Sequence, residues 1–296
     1  MEEFKVVTAD GRSLSAAAWG DRHGAPVFLI HGTPGSRLGQ LPEERRLYRL
    51  NLRVITYDRP GYGRSDRHSG RRVSDAAEDV RAIADHIGLD RFGVVGRSGG
   101  GPHALACAAL LPTRVARAAA LVSLAPRDAD GLSWYQGMTE SNISAYSAGE
   151  QSLDLLVPLL MARVHDIRTD PRKLIAALRH ELTAADLSVI ADPGVRSSLT
   201  RNYAEALRSG GEGWIDDLVA FLQPWGFDLS AISCPVELWH GEDDVFSPVE
   251  HTVWLASRIP TSRLRIQSKA AHFHAWRELL DILCRVALDP AQETAG

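Results

Sequence analysis

The chain has 296 residues, 45% hydrophobic and 24% charged, with a formal net charge of -4. That composition suits one globular core plus an insertion, and no basic stretch marks a nucleic-acid surface. No apolar run approaches the roughly 20 residues of a membrane span, and Cys107, Cys234 and Cys284 are too few and too scattered for a disulfide framework or a zinc site, as expected in a reducing cytosol.

The first twenty residues are acidic and then strand-like, without the basic segment and apolar core of a signal peptide. Four apolar runs follow, each stopped by glycine, proline or a polar turn: Val27 to Ile30, Val54 to Tyr57, Phe92 to Val95 and Ala118 to Leu124. Runs of this kind read as buried parallel strands. Between them the pattern turns helical. Ser74 is an N-cap candidate, followed by Val80, Ile83, Ala84 and Ile87 at helical spacing and by Gly88 as a stop. A second helix is expected from about Pro102 to Leu111.

From Arg127 to Asp228 only helical segments are expected: Leu153 to Val164, Arg172 to Glu181, Val195 to Leu207 and Ile215 to Leu222. Strand runs resume at Val236 to Trp239 and Leu264 to Gln267. The expected architecture is α/β: a mostly parallel central sheet with helices on both faces. Residues 1–126 and 229–296 form the core, and 127–228 form a helical lid inserted after the sixth strand. Most of the lid's large side chains should pack its own core. Trp134, Tyr135 and Trp214 are the candidates for lining a substrate cavity.

Four motifs stand at the ends of strand runs. Gly96-Arg97-Ser98-Gly99-Gly100, between a strand and an Ala-rich helix, has the spacing of a nucleophile elbow, whose crowded backbone needs glycine two residues either side of the serine. His31-Gly32-Thr33-Pro34-Gly35 ends an earlier strand. Thr33 and Gly99 are the candidate backbone N–H donors for an oxyanion, since Pro34 has no N–H. His31 must lie near the site and counts with Arg97 as a candidate lining residue.

Asp244 and Asp243 in Trp239-His240-Gly241-Glu242-Asp243-Asp244 are candidate carboxylates for orienting a histidine. Asp244 is preferred because it stands three residues after Gly241 and four before Pro248; Asp128, near the end of the strand before the lid, is the fallback. In Ala270-Ala271-His272-Phe273-His274, His272 sits closer to the strand end and is the candidate base, while His274 is expected to open the last helix.

The order Ser98, Asp244, His272 resembles the nucleophile, acid and base order of the α/β-hydrolase fold superfamily, and the resemblance covers nearly the whole chain. Tyr57 to Asp66, reading YDRPGYGRSD, is similar to a loop of its lidded members that is mainly structural. The chain differs from haloalkane dehalogenases and epoxide hydrolases, whose nucleophile is aspartate. It also differs from proline iminopeptidases, which carry a further glycine where this chain has Thr33. Arg97 is unusual in an elbow; it either pairs with a surface acid or shapes substrate choice.

The leading expectation is hydrolysis of an ester, thioester or lactone of a small, apolar molecule, without metal or cofactor, in the cytoplasm. The same triad can serve C–C cleavage, lyase or cyclase chemistry, and the same fold can serve a non-catalytic ligand-binding protein. A small-molecule substrate is expected, with neither nucleic acid nor membrane as partner.

Overall fold

The computed structural model describes residues 1–287. The expected core segment 229–296 therefore ends in residues 288–296, which lie outside the described ones.

The chain opens with an antiparallel pair, β1 (Glu2–Val7) and β2 (Ser13–Gly20). β3 (Ala25–Ile30), α1 (Glu44–Arg49), β4 (Leu52–Tyr57), α2 (Ala76–His86), β5 (Phe92–Arg97), α3 (Gly100–Leu110) and β6 (Val115–Leu121) follow. After a helical stretch come β7 (Val236–Gly241), α10 (Val249–Arg258), β8 (Ser262–Gln267) and α11 (Ala275–Val286). The strands form one eight-stranded sheet in the order β1-β2-β4-β3-β5-β6-β7-β8, parallel from β4 onward.

Strand alternation feeds two cores. Val27, Val54, Val95, Ala119 and Trp239 face Leu47 of α1 and Leu279, Leu283 and Val286 of α11. Phe28, Ile30, Ile55, Val94 and Ala118 face Val80 and Ile83 of α2, Ala104 and Leu105 of α3, and Leu255 of α10. Both faces are buried, so the parallel strands read as unbroken apolar runs. The Ser74 expectation is corrected. Ser74 lies inside a short 3-10 turn, its N–H donates to the Trp225 carbonyl, and α2 begins at Ala76.

Between β6 and β7 the chain is helical: α4 (Glu140–Gln151), α5 (Leu153–Thr169), α6 (Arg172–Leu178), α7 (Ala184–Ile190), α8 (Pro193–Ala206) and α9 (Glu212–Leu222). α4 and α7 lie outside the expected helices. α4 buries only Ala145 and Tyr146, and α7 is two turns long, so neither leaves a clear apolar stripe. No helix among the described residues is long and apolar enough to cross a membrane.

The strand order creates the place where a site can form. The chain leaves β3 toward β4 on one side and returns to β5 on the other, which makes the C-terminal ends of β3 and β5 a switch point where ligands of open α/β sheets bind. Ile30 pairs with Gly96 at that edge, so the loops after them start side by side.

Candidate active site

Ser98 sits at the tip of β5 with φ 54°, a left-handed conformation that costs a non-glycine residue about 1–3 kcal/mol. The surroundings leave no alternative path. A Cβ on Gly96 would stand 2.1 Å from the Gly100 carbonyl oxygen, and one on Gly100 would stand 2.2 Å from that of Ile30. The Ser98 N–H donates to the Leu121 carbonyl at 2.8 Å, which anchors the turn to β6.

Ser98 Oγ lies 3.0 Å from Nε2 of His272. His272 occupies a short 3-10 turn after β8, and its Nδ1 lies 2.8 Å from Oδ2 of Asp244, in the turn after β7. Of the two candidate acids in that turn, the fold brings in Asp244, which is buried, and leaves Asp243 exposed; Asp128 is exposed as well. Asp244 Oδ1 accepts the backbone N–H groups of Phe246 at 2.8 Å and Ser247 at 3.1 Å. His240 Nε2 lies 3.2 Å from Asp244 Oδ2 and donates to the Ser247 carbonyl at 2.6 Å. Burial alone would raise the Asp244 carboxyl, but His272 and His240 hold it well below the usual carboxylate range. Burial pushes His272 down, against the opposing pull of Asp244. An ionised Asp244 next to a neutral imidazole puts the proton on Nδ1 and leaves Nε2 free to accept from serine.

Thr33 and Gly99 flank Ser98 at the floor of a small cavity of about 90 Å³. Neither backbone N–H has a partner among the described residues. The two residues are in close contact: a Cβ on Gly99 would come 2.2 Å from Thr33 Oγ1. His103 steadies the Gly99 peptide from below, its Nδ1 2.7 Å from the Gly99 carbonyl. Burial pushes the His103 ring down to about 3, so it stays neutral and donates through Nδ1.

Ser98, His272 and Thr33 also line a larger cavity of about 1050 Å³ that opens outward between the core loops and α4, α5, α6, α8 and α9. Arg97 and Trp214 are on its wall; His31, Trp134 and Tyr135 are not. His31 Nε2 accepts the Arg59 backbone N–H at 3.0 Å and its Nδ1 donates to the Gly32 carbonyl at 2.8 Å, so its ring pins two loops together. Trp134 is buried against Tyr135, Tyr146 and His251, and its indole N–H caps the Ala125 carbonyl at 3.0 Å. Both rings therefore serve packing. The wall is also more polar than expected, with Asn142, Arg163 and Glu181 exposed to the space.

A family model described as the alpha/beta hydrolase fold matches residues 25–278. The chain belongs to the α/β-hydrolase fold family. It is 26% identical to a bifunctional esterase/perhydrolase of Acinetobacter calcoaceticus over 83% of each chain. It is 28% identical to the 2-hydroxymuconate semialdehyde hydrolase of Pseudomonas putida over 89% of this chain and 88% of that one. Among solved structures, an alpha/beta hydrolase fold protein from Nakamurella multipartita superposes with a TM-score of 0.68 at 26% identity, covering 96% of this chain and 99% of its own. Relatives named esterase and hydrolase make this α/β-hydrolase an enzyme of the hydrolase class.

Two acids at this site escape a reading of the sequence. Asp217 of α9 is fully buried. Its Oδ2 accepts the hydroxyls of Thr33 and Tyr62 (the latter at 2.7 Å) and the Arg59 guanidinium, and its Oδ1 accepts Arg71 at 2.6 Å. Burial opposes its charge, but the two guanidinium groups hold it far below the usual range. Asp186 of α7 is equally buried and reaches the Phe273 backbone. The one available signal is an acid inside an apolar helical stretch, as in Trp214-Ile215-Asp216-Asp217-Leu218-Val219, since acids are almost never fully buried unless paired.

Proposed function

We propose that this α/β-hydrolase cleaves a small ester, thioester or lactone through an acyl-enzyme on Ser98. The observation that carries the reading is the unbroken line from Ser98 Oγ to His272 Nε2, at 3.0 Å, and from His272 Nδ1 to Asp244, at 2.8 Å. In this reading Ser98 attacks the carbonyl while His272 takes its proton. Asp244 holds the imidazole tautomer and stabilises the imidazolium that forms. The N–H groups of Thr33 and Gly99 face the developing oxyanion, an interaction worth about 10²–10³ in rate per donor. His272 then protonates the leaving alcohol or thiol. Water, deprotonated by the same ring, releases the acid. As the acid leaves, the ring returns the proton to Ser98 Oγ, so that water is the one reactant besides the substrate that the steps consume.

The reading includes a division of labour. Residues 1–126 and the segment from 229 carry the chemistry, and 127–228 act as a cap that sets substrate range. In support, α4, α5, α6, α8 and α9 all contribute to the wall of the cavity that Ser98 opens into. The small inner cavity is walled by Leu124, Ala145, Leu218 and Phe221 together with Asn142, Arg163 and Ser247, and its size suits the short half of a substrate. The large outer cavity suits the longer half. The three cysteines are free thiols, which fits a cytoplasmic location.

A fluorophosphonate probe tests the nucleophile, and turnover of p-nitrophenyl acetate tests the reaction. Labelling of the wild type but not of Ser98→Ala, together with ester turnover, is the expected result. No labelling would sink the serine reading. Labelling with no ester turned over would favour the second reading, C–C bond cleavage by the same residues. That reading is favoured by the relative named for a semialdehyde, a compound without an ester.

A further inference from the structure

Arg97 precedes the nucleophile and places a cation beside it. It forms no ion pair among the described residues; the expected pairing with a surface acid is absent. The guanidinium carbon lies 4.3 Å from the centroid of the Trp276 ring and 5.6 Å from that of Phe273, which fixes its plane. Stacking does not satisfy its donors. Nε and Nη2 are sealed from solvent without a partner, and Nη1 is the guanidinium nitrogen not sealed in this way. Nη1 is well placed. A Cβ built on Gly32 would meet Ser98 Cβ at 3.2 Å and Arg97 Nη1 at 3.4 Å, so nucleophile and guanidinium flank the same glycine. The side chain lines the large outer cavity and is absent from the small inner one. Tyr203 stands on the same wall, and its phenol feels the Arg97 charge.

Most of the other charges on the wall have an ionic or hydrogen-bond partner or face solvent. Lys173 pairs with Asp166 at 3.2 Å, Glu181 accepts the Ser141 N–H at 2.8 Å, and Glu140 is exposed. Arg163 donates to the Ser141 carbonyl at 3.3 Å and also lines the small inner cavity beside Ser98. A desolvated guanidinium without a partner is costly, and chains do not keep one for stability. An anion on the substrate would supply the missing partner.

We infer that Arg97 anchors a carboxylate on the outer half of the substrate, a few bonds from the scissile carbonyl, with the Tyr203 phenol as second donor. The substrate class is thus an ester or lactone that carries a free acid. One guanidinium beside one phenol matches a monoanion rather than a dianionic phosphoryl group. For its catalytic arm, the inference rests on the hydrolase reading.

The test uses two matched pairs of esters, with the acid on the acyl side (monomethyl glutarate against methyl hexanoate) or on the alcohol side (4-acetoxybutyrate against pentyl acetate). The wild type should favour the acid member of at least one pair. In Arg97→Met the acid-over-neutral ratio of kcat/KM should fall at least about tenfold, in line with loss of a charge-assisted contact. Arg97→Lys, which keeps the charge but not the stacked fork, should fall between. Preference for the neutral member in both pairs, an unchanged ratio in Arg97→Met, or an equal fall in Arg163→Gln alone would overturn the assignment. A binding arm separates this inference from the hydrolase reading. Ser98→Ala titrated with glutarate in a calorimeter should bind it, and Ser98→Ala/Arg97→Met should bind it at least about tenfold more weakly. Glutarate binding without any ester turnover would leave the anion site standing and the hydrolase reading fallen; no difference between the two proteins would overturn the site. Arg97→Met should melt no lower than the wild type. A clearly lower melting temperature would mean that Arg97 serves stability, which also overturns the inference.

Discussion

Asp186 of α7 accepts the backbone N–H of Phe273 at 2.7 Å, so a helix from the segment between β6 and β7 holds the residue directly after His272. Its second oxygen is buried without a partner. Burial, with Asp244 adding to it and Arg97 opposing, pushes the carboxyl up to about 7. Asp186→Ala should lower kcat by about 10-fold or more with little change in KM, because small misplacements of a catalytic group are expensive. Asp186→Asn keeps the acceptor and should restore most of kcat.

The same residue makes a stability prediction. A group whose value is raised on folding contributes stability below its unfolded value, near 3.9, and loses it as pH rises through about 7. Asp186→Asn does not titrate. Its melting temperature relative to the wild type should therefore improve steadily from pH 4 to pH 7.5. A constant difference across that range would mean that Asp186 does not titrate there.

In the proposed triad, Ser98→Ala should lose about 10⁶ in kcat, and a His272→Ala/Ser98→Ala double variant should lose little more, because the residues act as a unit. Asp244→Asn should cost about 10⁴ by favouring the wrong imidazole tautomer, whereas exposed Asp243→Asn should stay within about twofold of the wild type. The acid limb of kcat/KM should fall below the ordinary histidine value near 6.5, since burial lowers His272 and its neutral form is the base. Initial rates from pH 4 to 9 check both points.

Asp217 ties α9 to the Thr33 loop, and its loss would strand Arg59 and Arg71 as buried unpaired cations. Asp217→Ala should destabilise the fold by about 3–5 kcal/mol, measured by urea unfolding. Thr33→Val removes one hydroxyl from the same cluster but keeps the backbone N–H. It should cost only about 1 kcal/mol and lower kcat more than it raises KM.

Trp134 and Trp214 should part company. Trp134→Ala should lower the melting temperature and reduce all substrates together, because its ring fills a packed aromatic cluster. Trp214→Ala should shift the preferred ester chain length, because its ring faces both cavities beside Ser98. A screen of p-nitrophenyl esters from acetate to decanoate separates the two.

Much of this architecture is legible in local chemistry. The strand runs, the elbow glycines and the succession of Ser98, Asp244 and His272 depend on backbone sterics, side-chain alternation and turn residues, all of which act over a few positions. The choice between Asp243 and Asp244 needed the fold, because only the path of the turn after β7 decides which carboxylate points inward. Arg97 shows the limit most clearly. Nothing within the elbow says whether a partner from a distant part of the chain will meet its charge, and the tertiary structure answers with two aromatic rings and, among the described residues, no ion pair. Asp217 is the converse case. An acid in an apolar helix looks unfavourable alone, and it is stable only because Arg59, Arg71 and Thr33 arrive from distant loops. Local sequence thus determined the scaffold and the nucleophile's turn. Long-range packing alone decided which charges found partners and which side chains faced the cavity, since desolvation and ion pairing depend on neighbours that the order of residues does not place.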